Sequence, residues 1–138
     1  MNYNQRQTLY RELERDRHSK VLLYVTGDRP GFETLISREV IDLFVHHLDT
    51  IGPVKKITLI LYSSGGDVSA AWAIANLLRI FADDLEVIVP AKALSAGTLI
   101  ALGADRILMT KQATLGPIDP RSCLQSGIAQ TASDSGQV

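Results

Sequence analysis

Four short, nearly unbroken apolar runs punctuate this chain: VLLYVTG (21–27), ITLILY (57–62), EVIVPA (86–91) and RILMT (106–110). Such runs fit strands covered on both faces, the pattern of a parallel sheet. Helical segments separate them. Ser37 is a suitable N-cap, after which Val40, Ile41, Phe44, Val45 and Leu48 share one helical face until Gly52-Pro53 stops it. Val68, Ala71, Trp72, Ala75 and Leu78 mark a second amphipathic helix, and SAGTLIALG (95–103) a short one of small residues. Residues 28–36 carry Pro-Gly and read as a loop. Strand and helix alternate, so right-handed βαβ crossovers and a mostly parallel sheet are expected: an α/β fold.

With 138 residues, 46% hydrophobic and 21% charged, the chain fits one globular domain. A net charge of -1, with both signs mixed, gives no electrostatic reason to expect nucleic acid or an anionic membrane as partner. Cys123, the one cysteine, cannot form an internal disulfide, so nothing demands an oxidising compartment. Residues 1–19 are strongly polar and suggest a solvated helix or docking arm. The N-terminus has no signal-peptide core, and no run is long enough to span a bilayer. A cytoplasmic protein is expected, with membrane association only through a missing segment or a partner. Residues 20–121 form the expected domain, and the small polar residues of 122–138 suggest a disordered tail.

Two strand-to-helix turns could carry chemistry. In Ser63-Ser64-Gly65-Gly66-Asp67, paired glycines can adopt positive φ and bring bare amides against a ligand. A tight turn without function explains such a pair equally well. In Ala93-Leu94-Ser95-Ala96-Gly97-Thr98, the serine hydroxyl lies beside amides able to stabilise an alkoxide or a tetrahedral oxyanion. The plain alternative is that Ser95 caps its helix. Both turns follow consecutive strands, where parallel α/β sheets build their sites, so they could face one another across a crevice.

ITLILYSSGGDVSAAWAIANLL resembles the strand, Gly-Gly turn and helix of the Clp-type proteases and signal peptide peptidases. VPAKALSAGTLIALGADRILMTKQATLGPIDP resembles their nucleophile helix, next strand and following turn, closest to the serine dehydrogenase proteinase branch near signal peptide peptidase A. The likeness spans roughly residues 20–121. It implies a Clp/crotonase-like spiral of ββα units, assembled as a homo-oligomer, that acts as a serine peptidase on peptide or protein substrates. By the same resemblance Ser95 is the nucleophile, Gly66 and the amide of Ala96 form the oxyanion hole, and Gly65 contacts the substrate backbone. No metal or cofactor is implied.

A serine nucleophile needs a base. The Clp-type position for a histidine falls on Ile118-Asp119-Pro120, and no lysine follows Lys111. Of the three histidines, His47 falls on the stripe of Val40, Phe44 and Ile51, as a partly buried packing residue would; His46 reads as solvated, and His18 precedes both turns. Lys111 reads as a surface lysine, Lys92 as pointing away from Ser95, and Asp119 as a turn residue. Members of the branch are about twice as long, so a truncated chain whose base lay in the missing part is expected. Two alternatives remain: a catalytically impaired remnant that serves as an assembly partner, and a crotonase-like acyl-CoA enzyme in which Ser95 is incidental.

Overall fold

The computed structural model describes residues 1–117. The expected tail 122–138 and Asp119 lie outside the described residues. Four parallel strands form the main sheet in the order β1-β2-β3-β5: β1 (Lys20–Val25), β2 (Val54–Tyr62), β3 (Ala82–Val89) and β5 (Arg106–Met109). Their registers are in phase, Leu22 beside Leu59 and Leu59 beside Val87. The helices α2 (Val40–Ile51), α3 (Val68–Phe81) and α4 (Ala96–Leu102) make the crossovers. Two pairs too short to show in the sequence, β4 (Lys92–Ala93) and β6 (Thr114–Leu115), form a second small sheet. Ser63 bridges Ala93 at its margin, so β2, β3 and β5 each leave the main sheet through a short second strand: the ββα repeat of a spiral.

Apolar burial holds this arrangement. Ile57, Leu59 and Leu61 of β2 and Leu85, Val87 and Val89 of β3 are fully buried. Each such side chain contributes roughly 1.5–3 kcal/mol relative to leaving it in water. On α3 the buried residues are Ala70, Ala71, Ile74, Ala75 and Leu78, while Trp72 is 61% exposed, contrary to expectation. Small residues let α4 approach α3 closely: a methyl group on Gly103 would lie 2.9 Å from the Ala75 Cβ. Phe44 of α2 meets Tyr24 of β1 edge-to-face at 5.3 Å between centroids.

Ser37 does not cap α2. The cap position is Glu39 without a side-chain bond, and Val40 and Ile41 donate instead to the carbonyls of Ser37 and Arg38. Ile36, just before, is committed to the parallel bridge with Gly66 and draws the chain across the sheet end.

The N-terminal segment is helical: α1 (Tyr3–Arg17) starts with a reciprocal capping box between Asn2 and Gln5, each bond 2.9 Å. It buries no residue. Its end is tied down by charge. Arg17 grips Glu86 with both arms of its guanidinium, Nε to Oε1 at 2.8 Å, and Lys56 Nζ donates to the Arg17 carbonyl at 3.1 Å. Glu86 is wholly buried in β3, and the Arg17 bond, with Lys56 and Thr58, pulls its carboxyl down to about 2.

Candidate active site

The two turns meet at the carboxyl ends of β2 and β3. Ser63 is buried, and its backbone makes both bonds of the bridge: its N–H donates to the Lys92 carbonyl at 3.1 Å, and its carbonyl accepts from Leu94 N–H at 3.0 Å. The chain then passes Gly65 and Gly66, whose φ values of 112° and 147° suit only glycine. Gly65 lies directly against the second turn. A methyl group there would sit 2.9 Å from Ser95 Cβ, 3.0 Å from the Leu94 carbonyl oxygen and 3.5 Å from Ser95 Oγ. Nothing larger than hydrogen fits between Gly65 and the serine.

Gly66 faces another neighbour. Ile36 N–H donates to the Gly65 carbonyl and Asp67 N–H to the Ile36 carbonyl, both at 2.8 Å. In a parallel bridge the bonds fall on the residues flanking Gly66, so the N–H of Gly66 itself points away from Ile36. The fit is tight, since a methyl group on Gly66 would lie 2.3 Å from the Ile36 carbonyl oxygen.

Ser95 occupies the cap position of α4 but caps nothing. Its side chain makes no bond to the helix, and its backbone sits at φ 51°, ψ −118°. A positive φ in a non-glycine residue that is neither Asn nor Asp is strained, by about 1–3 kcal/mol. The capping role open to Ser95 on sequence grounds is therefore not the one it plays. The serine is half-buried, Ala96 is buried, and the hydroxyl of Ser95 and the amides of Gly66 and Ala96 have no hydrogen-bond partner among the described residues.

The basic residues lie elsewhere. Lys92 Nζ is 2.6 Å from Asp28 Oδ2 and stands 5.3 Å above the Tyr62 ring, whose hydroxyl also donates to Asp28. The Asp28 hydrogen bond raises the Lys92 pKa above its ordinary value and engages the amine with Asp28. Lys111 is exposed in the turn after β5. His18 terminates α1 in the left-handed conformation at the opposite end of the sheet. His46 and His47 are exposed on α2; His47 lines a surface groove with Leu23 and Leu43 and is not the half-buried packing residue its stripe suggests.

No helix among the described residues is long and apolar enough to cross a membrane.

A family model described as ClpP-like SDH-type serine proteinase matches residues 1–129. The chain belongs to that family. Two curated relatives, both uncharacterized proteins of Methanocaldococcus jannaschii, share part of it. MJ0137 is 51% identical over 67 residues, 49% of this chain and 23% of that protein. MJ1495 is 45% identical over 65 residues, 47% of this chain and 22% of that protein. The matched stretch is thus under a quarter of either relative. The fold agrees with the family: a mostly parallel α/β sheet built from ββα turns.

Proposed function

We propose that Ser95 is the nucleophile of a serine endopeptidase and that the amides of Gly66 and Ala96 hold the oxyanion. Ser95 Oγ attacks the scissile carbonyl carbon and gives up its proton to a base. The tetrahedral intermediate collapses, the C–N bond breaks, and the amine leaves with that proton. Water then hydrolyses the Ser95 ester and frees the enzyme. Gly65, with its carbonyl and N–H spent on Ile36 and Ser63, gives the substrate backbone a surface without a side chain. The base comes from outside residues 1–117.

One observation carries the reading: a serine at a helix start, in a strained backbone conformation, with no capping bond and with Gly65 pressed against it. Membership of a serine proteinase family supports it. A fluorophosphonate probe tests it. Serine attack on phosphorus expels fluoride and leaves a covalent adduct. Peptide mapping of the labelled protein should put that adduct on Ser95, and Ser95→Ala should abolish it; an adduct elsewhere, or none, contradicts the assignment.

A second reading has one observation in its favour. Among the described residues no imidazole or amine is hydrogen-bonded to Ser95. A chain that assembles with a partner without turning over substrate would show that too, and Ser95→Ala would then leave its oligomeric size and phenotype unchanged.

A further inference from the structure

Ser63 does more than join two turns. Its hydroxyl oxygen, fully buried, lies 2.9 Å from Thr26 Oγ1 and accepts the Gly65 N–H at 3.0 Å. Thr26 is 2% exposed and follows β1, where its own N–H donates to the Tyr62 carbonyl at 2.9 Å. Three segments therefore converge on one residue: the end of β1 through Thr26 and the Ser63 hydroxyl, β2 through the chain leading into Ser63, and the start of the serine turn through the Ser63 backbone bonds to Lys92 and Leu94.

We infer that Thr26 and Ser63 are positioning residues, a buried hydroxyl relay that sets the Gly65-Gly66 turn against Ser95. The inference rests on the reading of Ser95 as nucleophile. At φ 112° and 147°, the two glycines have no side chains to hold them in place. What fixes the turn is hydrogen bonding on either side: Ile36 to the Gly65 carbonyl, Ser63 Oγ to the Gly65 N–H. The second bond is the one made by the residue bridged to the serine turn, so any shift of Ser63 moves both halves of the site together. Ser63 is fully buried and lies beside the start of α4. A methyl group on Gly97, two residues past Ser95, would lie 3.4 Å from Ser63 Cβ.

Removing the Ser63 hydroxyl leaves the Gly65 N–H and the Thr26 hydroxyl unpaired and frees the Gly65 peptide to rotate, whereas removing the Thr26 hydroxyl takes away the donor that holds the Ser63 Oγ in place for that bond. The oxyanion amides and the serine then lose their mutual alignment, and a displacement of about 1 Å in such a site slows chemistry on the order of 100-fold. Neither hydroxyl touches substrate, so probe binding should be spared.

The test is the kinetics of fluorophosphonate labelling of wild type, Ser63→Ala, Thr26→Val and Thr26→Ser, resolved into probe binding and maximal rate. Thr26→Val keeps the shape and drops the hydroxyl; Thr26→Ser keeps the hydroxyl. The relay predicts that Ser63→Ala and Thr26→Val fall about 10- to 100-fold in maximal rate, with binding unchanged and full final labelling, and that Thr26→Ser stays near wild type. A merely structural role would lower the final amplitude as unfolded protein accumulates and leave the rate of the folded fraction alone. A labelled wild type with both hydroxyl-less variants at its rate overturns the relay only. An unlabelled wild type overturns the nucleophile and the relay together.

Discussion

Asp67 and Ser95 stand at equivalent places, each the last residue before a helix at the carboxyl end of a parallel strand, yet they behave as opposites. Asp67 has an ordinary φ of −67°, and its Oδ1 accepts from the Ala70 N–H at 3.0 Å and from the Ser69 hydroxyl at 2.6 Å. It is a spent residue whose side-chain bonds serve α3. Ser95 is strained and gives its hydroxyl to nothing among the described residues. One turn shows a helix start whose side chain completes the cap, and the other a helix start whose side chain leaves the cap unmade, the feature on which the proposed nucleophile rests. The strain is tolerated because its surroundings leave no alternative: Gly65 and Ser63 close one side and Leu94, through Gly97, the other.

The strongest way to break the contrast is to remove the glycine that lets Ile36 approach the first turn. Gly66→Ala places a methyl group 2.3 Å from backbone rather than from a movable side chain, at a φ of 147°. We expect a loss of about 3 kcal/mol or more, read by urea denaturation, from overpacking and a forbidden backbone conformation combined. Gly65→Ala should be milder for folding, since part of its clash is with Ser95 itself, yet it should displace the serine it touches and abolish labelling.

Acid separates stability from site chemistry at the two ends of the sheet. Glu86, anchored by Arg17, titrates near 2, below its ordinary 4.5. A depressed carboxylate contributes stability that is complete above the unfolded value and is lost as pH falls through the folded one. Unfolding followed from pH 5 to pH 2 should therefore show stability declining from about 4.5 downward, and Glu86→Gln should flatten much of that slope. A slope unchanged by the substitution would remove Glu86 as its source.

Asp67→Ala should cost about 1 kcal/mol through loss of the α3 cap, the usual value for such a change. Its carboxyl is held below the ordinary range first by the Ser69 hydroxyl and then by the Ala70 amide, so the loss should shrink in acid as the carboxyl protonates.

Much of this could be read from residues in order. The four apolar runs became β1, β2, β3 and β5 because a strand buried on both faces has no polar positions to conceal it. The two turns that meet beside Ser95 were legible as turns from serine and glycine following strands. What escaped depended on distant partners. β3 starts at Ala82 rather than Glu86 because Val54 and Lys56 of β2 pair with Ala82 and Asp84, overriding two acidic residues that look like a loop. Glu86 is buried mid-strand only because partners reach it from two other elements, Arg17 from the end of α1 and Lys56 and Thr58 from β2. The bridge between Ile36 and Gly66 spans thirty residues and has no local pattern, and it displaced the cap expected at Ser37. Trp72 shows the limit of a helical stripe: α3 packs through alanines so closely that its largest residue is left outside. Ser95 itself was ambiguous, since a cap and a nucleophile share one position and differ only in φ, ψ and where the hydroxyl bonds.

The measurement that bears most directly on the account is therefore the stability of Ser95→Gly beside its labelling. Glycine accepts φ 51°, ψ −118° without strain and removes the hydroxyl. If the serine is held for chemistry, Ser95→Gly should be more stable than wild type by about 1 kcal/mol and wholly unlabelled by a fluorophosphonate. A variant that is less stable, or one that still takes the probe, would contradict it.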